Sequence, residues 1–243
     1  MLKIDSTPRN MLYQVGTIGS LLSGVYEGDL SFKELAHYGD FGLGTFDRVN
    51  GEMIALDGKF YRVDAYGKAH IVESQMKTPF AMITHFTKFT SYELNSFEDL
   101  ASLQEYISAT FESQNIIYAL RIEGEFAKLD LRSEHPQPEG HKPLSKTISE
   151  VQTTSTLIDT DGTMVGFWFP KYMKTINVNG FHFHFLDKNR SLGGHLFNLK
   201  LTKASLKVMP IFDFGIHLIH TPLFEDMDLN SVDDEALKKV EKE

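Results

Sequence analysis

The chain contains no cysteine, which removes disulfide and thiolate chemistry and fits a reducing compartment. It is also poor in positive charge. Lys and Arg number 24 against 33 Asp and Glu, a net charge of −9, and no Lys/Arg cluster overrides that balance, so a nucleic-acid partner is disfavoured. Long apolar runs are missing as well. No stretch approaches the roughly 18 apolar residues of a membrane-spanning helix, which points to a soluble, cytoplasmic protein without a membrane partner. The fairly apolar segment Met11 to Val25 is broken by Gln14, Thr17 and Ser20. Its Leu12, Val15, Ile18, Leu22 and Val25 recur at three- and four-residue spacing, which predicts one face of a buried helix in place of a secretion signal.

A hydrophobic content of 42% in 243 residues supports one large domain or two small ones. Strand and hairpin patterns dominate. Asp57-Gly58 lies between apolar runs 52–56 and 60–63, and Asp161-Gly162 between 156–158 and 164–169; both dipeptides predict tight hairpins. Ser31-Phe32-Lys33-Glu34 is a capping box for a short helix ending at Gly39. Ser96-Phe97-Glu98-Asp99 opens a longer helix with a core stripe of Leu100, Leu103, Ile107 and Phe111. The polar, proline-containing stretch 133–140 marks a division into segments 1–133 and 134–243, and Ser231 is expected to cap a helix in the acidic tail.

One constellation is not demanded by the fold. In His182-Phe183-His184 the two imidazoles share one face of an extended strand, with Phe181, Phe183 and Phe185 on the other. A polar loop and Gly193-Gly194, expected to take positive φ, then lead to His195 at the start of a second alternating strand. An antiparallel hairpin would set His195 opposite His184, so that three neutral nitrogens face one cation. No fourth histidine or thiolate stands nearby to close the site, and an open position suggests catalysis over structural stapling.

Four blocks, in order, carry a resemblance: Leu22 to Asp29, Gly39 to Phe46, Asn50 to Met53, and Gly180 to Phe185 with Gly193-Gly194-His195. Together they resemble the alpha-acetolactate decarboxylase family over nearly the whole chain. The resemblance implies a two-domain α/β (α+β) protein, strand-rich with mixed β-sheets, and a Zn2+ ion held on a hairpin by His182, His184 and His195. The implied reaction converts 2-acetolactate to acetoin and carbon dioxide, and a homodimer is compatible with the family. Glu52 matches the family's catalytic glutamate, Thr45 its pocket threonine and Glu241 its C-terminal glutamate. Arg132 stands at the end of a strand from Glu125 to Leu131, where the family has its substrate-binding arginine. The following Ser133-Glu134-His135 departs from the family's usual Thr-Val, which leaves Arg121 as a rival.

These residue types suit the reaction. Loss of carbon dioxide from a β-keto acid leaves an enediolate whose charge a Lewis acid can stabilise, while an arginine orients the carboxylate and a glutamate delivers a proton. On composition alone, however, Glu52 is better read as a solvated strand residue and Arg132 as a surface charge, and only the ordered resemblance reverses this. Two other functions share the histidine pattern. A cupin-like metal oxygenase would recruit Asp187 as a fourth ligand to iron, and a non-catalytic domain would use zinc only to staple the hairpin.

Overall fold

A computed structural model describes residues 10–138 and 142–229. Two β-sheets face one another. The first has seven strands in the order β14-β1-β8-β3-β4-β5-β6, where β1 is Met11–Val15, β3 Phe41–Thr45, β4 Glu52–Leu56, β5 Lys59–Val63, β6 Ala69–Ile71, β8 Ala81–Thr84 and β14 Asp213–His217. Only the β1–β14 pair is parallel, so the sheet is mixed. The second sheet runs β10-β11-β12-β13-β9, with β9 Thr90–Leu94, β10 Ile117–Glu134, β11 Gln152–Phe169, β12 Gly180–Asp187 and β13 Gly193–Ile211. Because β10 also pairs with β13, this sheet closes on itself. A two-stranded ribbon of β2 (Leu30–Ser31) and β7 (Lys77–Thr78) completes the strands among the described residues.

Strand alternation decides what lies between the sheets. Phe41, Leu43, Ile54 and Leu56 of the first sheet meet Ala119, Val165, Phe167, Phe169 and Met209 of the second. The helices α1 (Ile18–Ser23) and α4 (Leu144–Val151) fill one end of this layer with Leu21, Leu144 and Ile148. The reverse face of the second sheet packs against α3 (Leu100–Ala109) through Leu103 and Ile107, and includes Phe183 and Phe185. On the reverse face of the first sheet lie α2 (Phe32–Leu35), Met53 and Ala55, while α5 (Pro222–Asp226) packs Leu223 and Phe224 nearby. No described helix is long and apolar enough to cross a membrane.

Several expectations hold in detail. Asp57 and Gly58 both have positive φ, 54° and 74°, and join β4 to β5 in a tight hairpin. Ser31 and Glu34 form the expected capping box, although α2 ends at Leu35 and not at Gly39. Three expectations fail. The Met11–Val25 helix is a strand followed by a short helix, because Gly16, at φ 64°, turns the chain between them. The long helix is capped by Asp99, whose carboxylate accepts from Ser102 N at 2.8 Å, and not from Ser96. Asp161-Gly162 makes no turn: it lies inside β11, where Gly162 faces Gly124 and Asp187 across the ladders. A Cβ there would stand 2.3 Å from the Phe185 ring, so this glycine serves close packing.

The expected division at 133/134 falls at the end of β10, which pairs with β11 from Tyr118–Trp168 to Glu134–Gln152. Both sheets therefore draw strands from both sides of it. The helix expected after Ser231 lies outside the described residues.

Gly193 and Gly194 belong to β13 itself and not to the preceding loop. The loop's positive φ is carried by Arg190, at 59°, and of the two glycines only Gly194 is unusual, at 155°. Close approach explains Gly193, since a Cβ on it would lie 2.3 Å from the Phe185 carbonyl oxygen. Gly193→Ala should push β13 off β12 and lower the urea midpoint by the equivalent of about 1–3 kcal/mol, as overpacked sites do. Unfolding curves of the two proteins check it, and an unchanged midpoint would contradict the packing argument.

Candidate active site and metal centre

The ladder between β12 and β13 has three pairs, His184–His195, Phe185–Gly194 and Leu186–Gly193. His195 therefore lies opposite His184, and the even-numbered residues of β12 turn towards the first sheet while Phe181, Phe183 and Phe185 turn towards α3. The candidate donor nitrogens of His182, His184 and His195 all lie within 4.8 Å of one another and are buried. His182 Nε2 and His184 Nε2 stand 3.2 Å apart.

The first sheet contributes from β3 and β4. Thr45 and Glu52 are cross-strand partners, on the same inward face as Leu43 and Ile54. Glu52 Oε2 approaches His184 Nε2 to 3.2 Å, and Oε1 lies 4.0 Å from His195 Nδ1. Arg132 pairs with His195 across β10 and β13, and its Nη2 donates to His195 Nε2 at 3.1 Å. Glu52 is 7% exposed and Arg132 3%, so neither is a solvated surface charge. The same cavity is walled by Leu21, Val49, Phe80, Leu144 and Ile148, and Thr45 lines it too.

The rival Arg121 sits eleven residues back along β10, roughly 35 Å of extended strand. It ion-pairs with Asp57 and Glu123, both at 2.7 Å, and does not line this cavity. Asp187 points to the other face of β12 from the histidine pair, and its carboxylate accepts from Ser191 N, Ser191 Oγ and Leu192 N at 2.6, 2.9 and 2.8 Å. It holds the loop between the strands and is not part of the histidine group. Glu241 lies outside the described residues. Glu134, also buried, lines the cavity without having been singled out in the sequence. Its signal was available, because it stands two residues beyond Arg132 on the same strand face.

Electrostatics favours neutral rings. Burial, then the Arg132 charge, pushes the His182 pKa down to about 3. Burial also holds His184 and His195 well below the ordinary histidine value, reinforced at His184 by its neighbour His182 and at His195 by Arg132. Met53 O faces His184 Nδ1 at 2.9 Å, so the proton resides on Nδ1 and Nε2 is a lone pair. That lone pair confronts both His182 Nε2 and a Glu52 oxygen at 3.2 Å. An acceptor-rich cluster of this kind fits a metal ion, and the Met53 carbonyl supplies the outer contact that orients a ligating imidazole.

A strand-rich fold that buries three convergent imidazoles between two sheets, beside a carboxyl and a guanidinium, defines a site that could hold a metal ion. The comparisons make the assignment specific. The family model for alpha-acetolactate decarboxylase matches residues 12–231. The chain is 37% identical to an alpha-acetolactate decarboxylase of Methanosarcina mazei, covering 98% of this chain and 83% of that protein. It is 36% identical to that of Brevibacillus brevis, covering 98% and 84%. The crystal structure of the alpha-acetolactate decarboxylase of Bacillus subtilis strain 168 superposes with a TM-score of 0.92 at 33% identity, covering 96% of this chain and all of the other. The chain belongs to the alpha-acetolactate decarboxylase family, a family of carboxy-lyases.

Removing any bound metal should expose the titration of the histidines. Their folded pKa values lie below the unfolded value of about 6.5, so the unfolded chain binds more protons as pH falls. Stability of the chelator-treated protein is therefore complete above about pH 6.5 and declines below it. Urea midpoints at pH 7.5 and 5.5 measure this, and equal midpoints would rule out neutral buried rings.

Proposed function

We propose that this chain decarboxylates 2-acetolactate to acetoin and carbon dioxide with Zn2+ held by His182, His184 and His195. The observation that carries the proposal is the convergence of three buried imidazoles, the Glu52 carboxyl and the Arg132 guanidinium in one cavity. When bound, zinc supplies a Lewis acid that draws electron density towards the substrate oxygens without a redox change.

The chain's own groups do the rest. Arg132 offers planar paired N–H donors that match a carboxylate, and holds it for departure. A bound metal would be held by the His182, His184 and His195 imidazoles, with the Arg132 guanidinium lying beside His195. As the bond to the carboxylate breaks, its electron pair passes into the adjoining ketone, and the resulting enediolate requires one proton at the carbon that lost carbon dioxide. Glu52 delivers that proton from one side of a cavity with apolar walls, which fixes the configuration of the product. Thr45 donates its hydroxyl hydrogen to Gly51 O at 2.8 Å, so the lone pairs of its oxygen are left to accept a hydrogen bond from the substrate hydroxyl. Glu241 is proposed as a second carboxylate of the site. The acidic balance and lack of cysteine support a cytoplasmic, small-molecule enzyme; assembly as a homodimer belongs to the same proposal, with sedimentation as its test.

His195→Ala should lose both zinc and turnover, read by elemental analysis alongside acetoin formation. Full zinc content with full turnover in that variant would overturn the site. Glu52→Gln should retain zinc while kcat falls about 10²- to 10⁴-fold, the usual worth of a general acid or base.

Removing Val240 to Glu243 tests the remaining carboxylate. The truncated enzyme should keep its zinc and its unfolding midpoint but lose most of its turnover, and Glu241→Gln should reproduce much of that loss. Wild-type kinetics in both variants would remove Glu241 from the site and leave Glu52 and Glu134 as its carboxylates.

A further inference from the structure

The six residues that join Thr45 to Glu52 form a strained turn. Arg48 and Val49 both sit in the left-handed region, at φ 62° and 52°, where a branched side chain such as valine is strongly disfavoured. Such geometry persists only where surrounding contacts over-determine it, and it concentrates at functional sites. Here the contacts come from two sides. Arg48 N donates to Tyr26 O at 2.7 Å, and Gly28 N donates to the Asp47 carboxylate at 2.8 Å. From the other side comes the segment that leaves β10 after Arg132. Arg48 Nε and Nη2 donate to Gln137 O at 2.9 and 2.5 Å, and Gln137 N donates back to Arg48 O at 2.6 Å.

This reciprocal tie joins the turn four residues before Glu52 to the chain five residues after Arg132. It also places Val49 in the cavity wall. Gln137 is fully buried, yet its side-chain amide nitrogen and oxygen have no hydrogen-bond partner among the described residues. The contact with Arg48 is made by the Gln137 backbone and not by its side-chain amide.

We propose that Arg48 is a positioning residue for the reaction: its clamp on the Gln137 backbone fixes the strained turn and thereby the placement of Glu52 relative to Arg132. The inference rests on the roles given above to those two residues. It requires no contact between Arg48 and substrate, and Arg48 does not line the cavity.

The zinc-loaded full-length enzyme provides the test. Arg48→Gly removes the guanidinium while glycine accepts the positive φ, so relief of backbone strain offsets part of the lost bonding. Its kcat should fall about 10- to 100-fold, as small misplacements of a reacting group do, with KM changing much less and zinc content unchanged. In a Glu52→Gln background the same change should cost little more, because the group being positioned is already gone. Gln137→Met should leave kcat at the wild-type value, since only the backbone is used.

Wild-type kcat in Arg48→Gly, whatever its melting temperature, overturns the proposal. So does an undiminished loss in the Glu52→Gln background, or a comparable loss in Gln137→Met. Should Arg48→Gly fail to fold, Arg48→Lys carries the test: it keeps the charge without the planar pair of donors, a smaller kcat loss is expected, and wild-type kcat overturns the clamp. Full turnover in Glu52→Gln alone sinks the assignment of Glu52 and the clamp with it, whereas a defect in Glu52→Gln beside wild-type kcat in Arg48→Gly sinks the clamp alone.

Discussion

Three ladder pairs between β12 and β13 carry the whole site, because they decide which face of the sheet each imidazole occupies. Side chains alternate along a strand, so a slip of one residue would turn His195 away from His182 and His184. The register is protected at its loop end. The Asp187 carboxylate gathers Ser191 and Leu192 into a compact loop, and Gly193 allows β13 to run against the Phe185 carbonyl where no side chain fits. Beyond the three pairs β12 keeps its ladder with β11, and β13 with β10, which brings Arg132 against His195.

The second requirement is that a carboxyl and a guanidinium be tolerated between two apolar sheet faces. Isolated charges there would be heavily penalised, and an interior crowded with lone pairs would be little better. Glu52 and Arg132 approach the same imidazole cluster from opposite sheets, so a carboxyl and a guanidinium share a site that burial has stripped of histidine cations. The polar groups are thus mutually dependent, as a group held in a low-dielectric interior must be. The Leu and Ile side chains of α1 and α4 close the end of the layer and keep this interior distinct from solvent.

Much of this arrangement was legible in the chain. The alternation of Phe and His in 181–185 fixed the faces of β12, and the Gly-Gly-His spacing placed the third imidazole, because both are local properties of an extended hairpin. Glu52 was recognisable only by its place in the ordered family blocks, and Arg132 only by its position at a strand end where the family has an arginine, since nothing in the sequence around either one states that it is buried. Identical local signals also met different fates. Asp57-Gly58 turns the chain, but Asp161-Gly162 is overridden by ladders on both sides of β11 and by the Phe185 ring. Likewise β1, buried between two neighbouring strands, lacks the clean alternation of a half-exposed strand, and its apolar spacing imitates a helix. The Arg48–Gln137 tie spans 89 residues and leaves no periodic trace at all.

The hydrogen bond from His184 Nδ1 to the Met53 carbonyl crosses from one sheet to the other and joins positions 131 residues apart. The histidine hairpin itself closes over a far shorter loop, so in folding it can form early, whereas this bond awaits the docking of the sheets. An ion bound to the undocked hairpin would meet freely rotating rings; after docking, the tautomer and orientation of His184 are set. Affinity for the ion must therefore rise as the sheets come together, and by reciprocity the ion must favour their union. A metal ion held there would in this sense be a clasp between the two halves of the sandwich, and its occupancy would gauge how completely the protein has assembled.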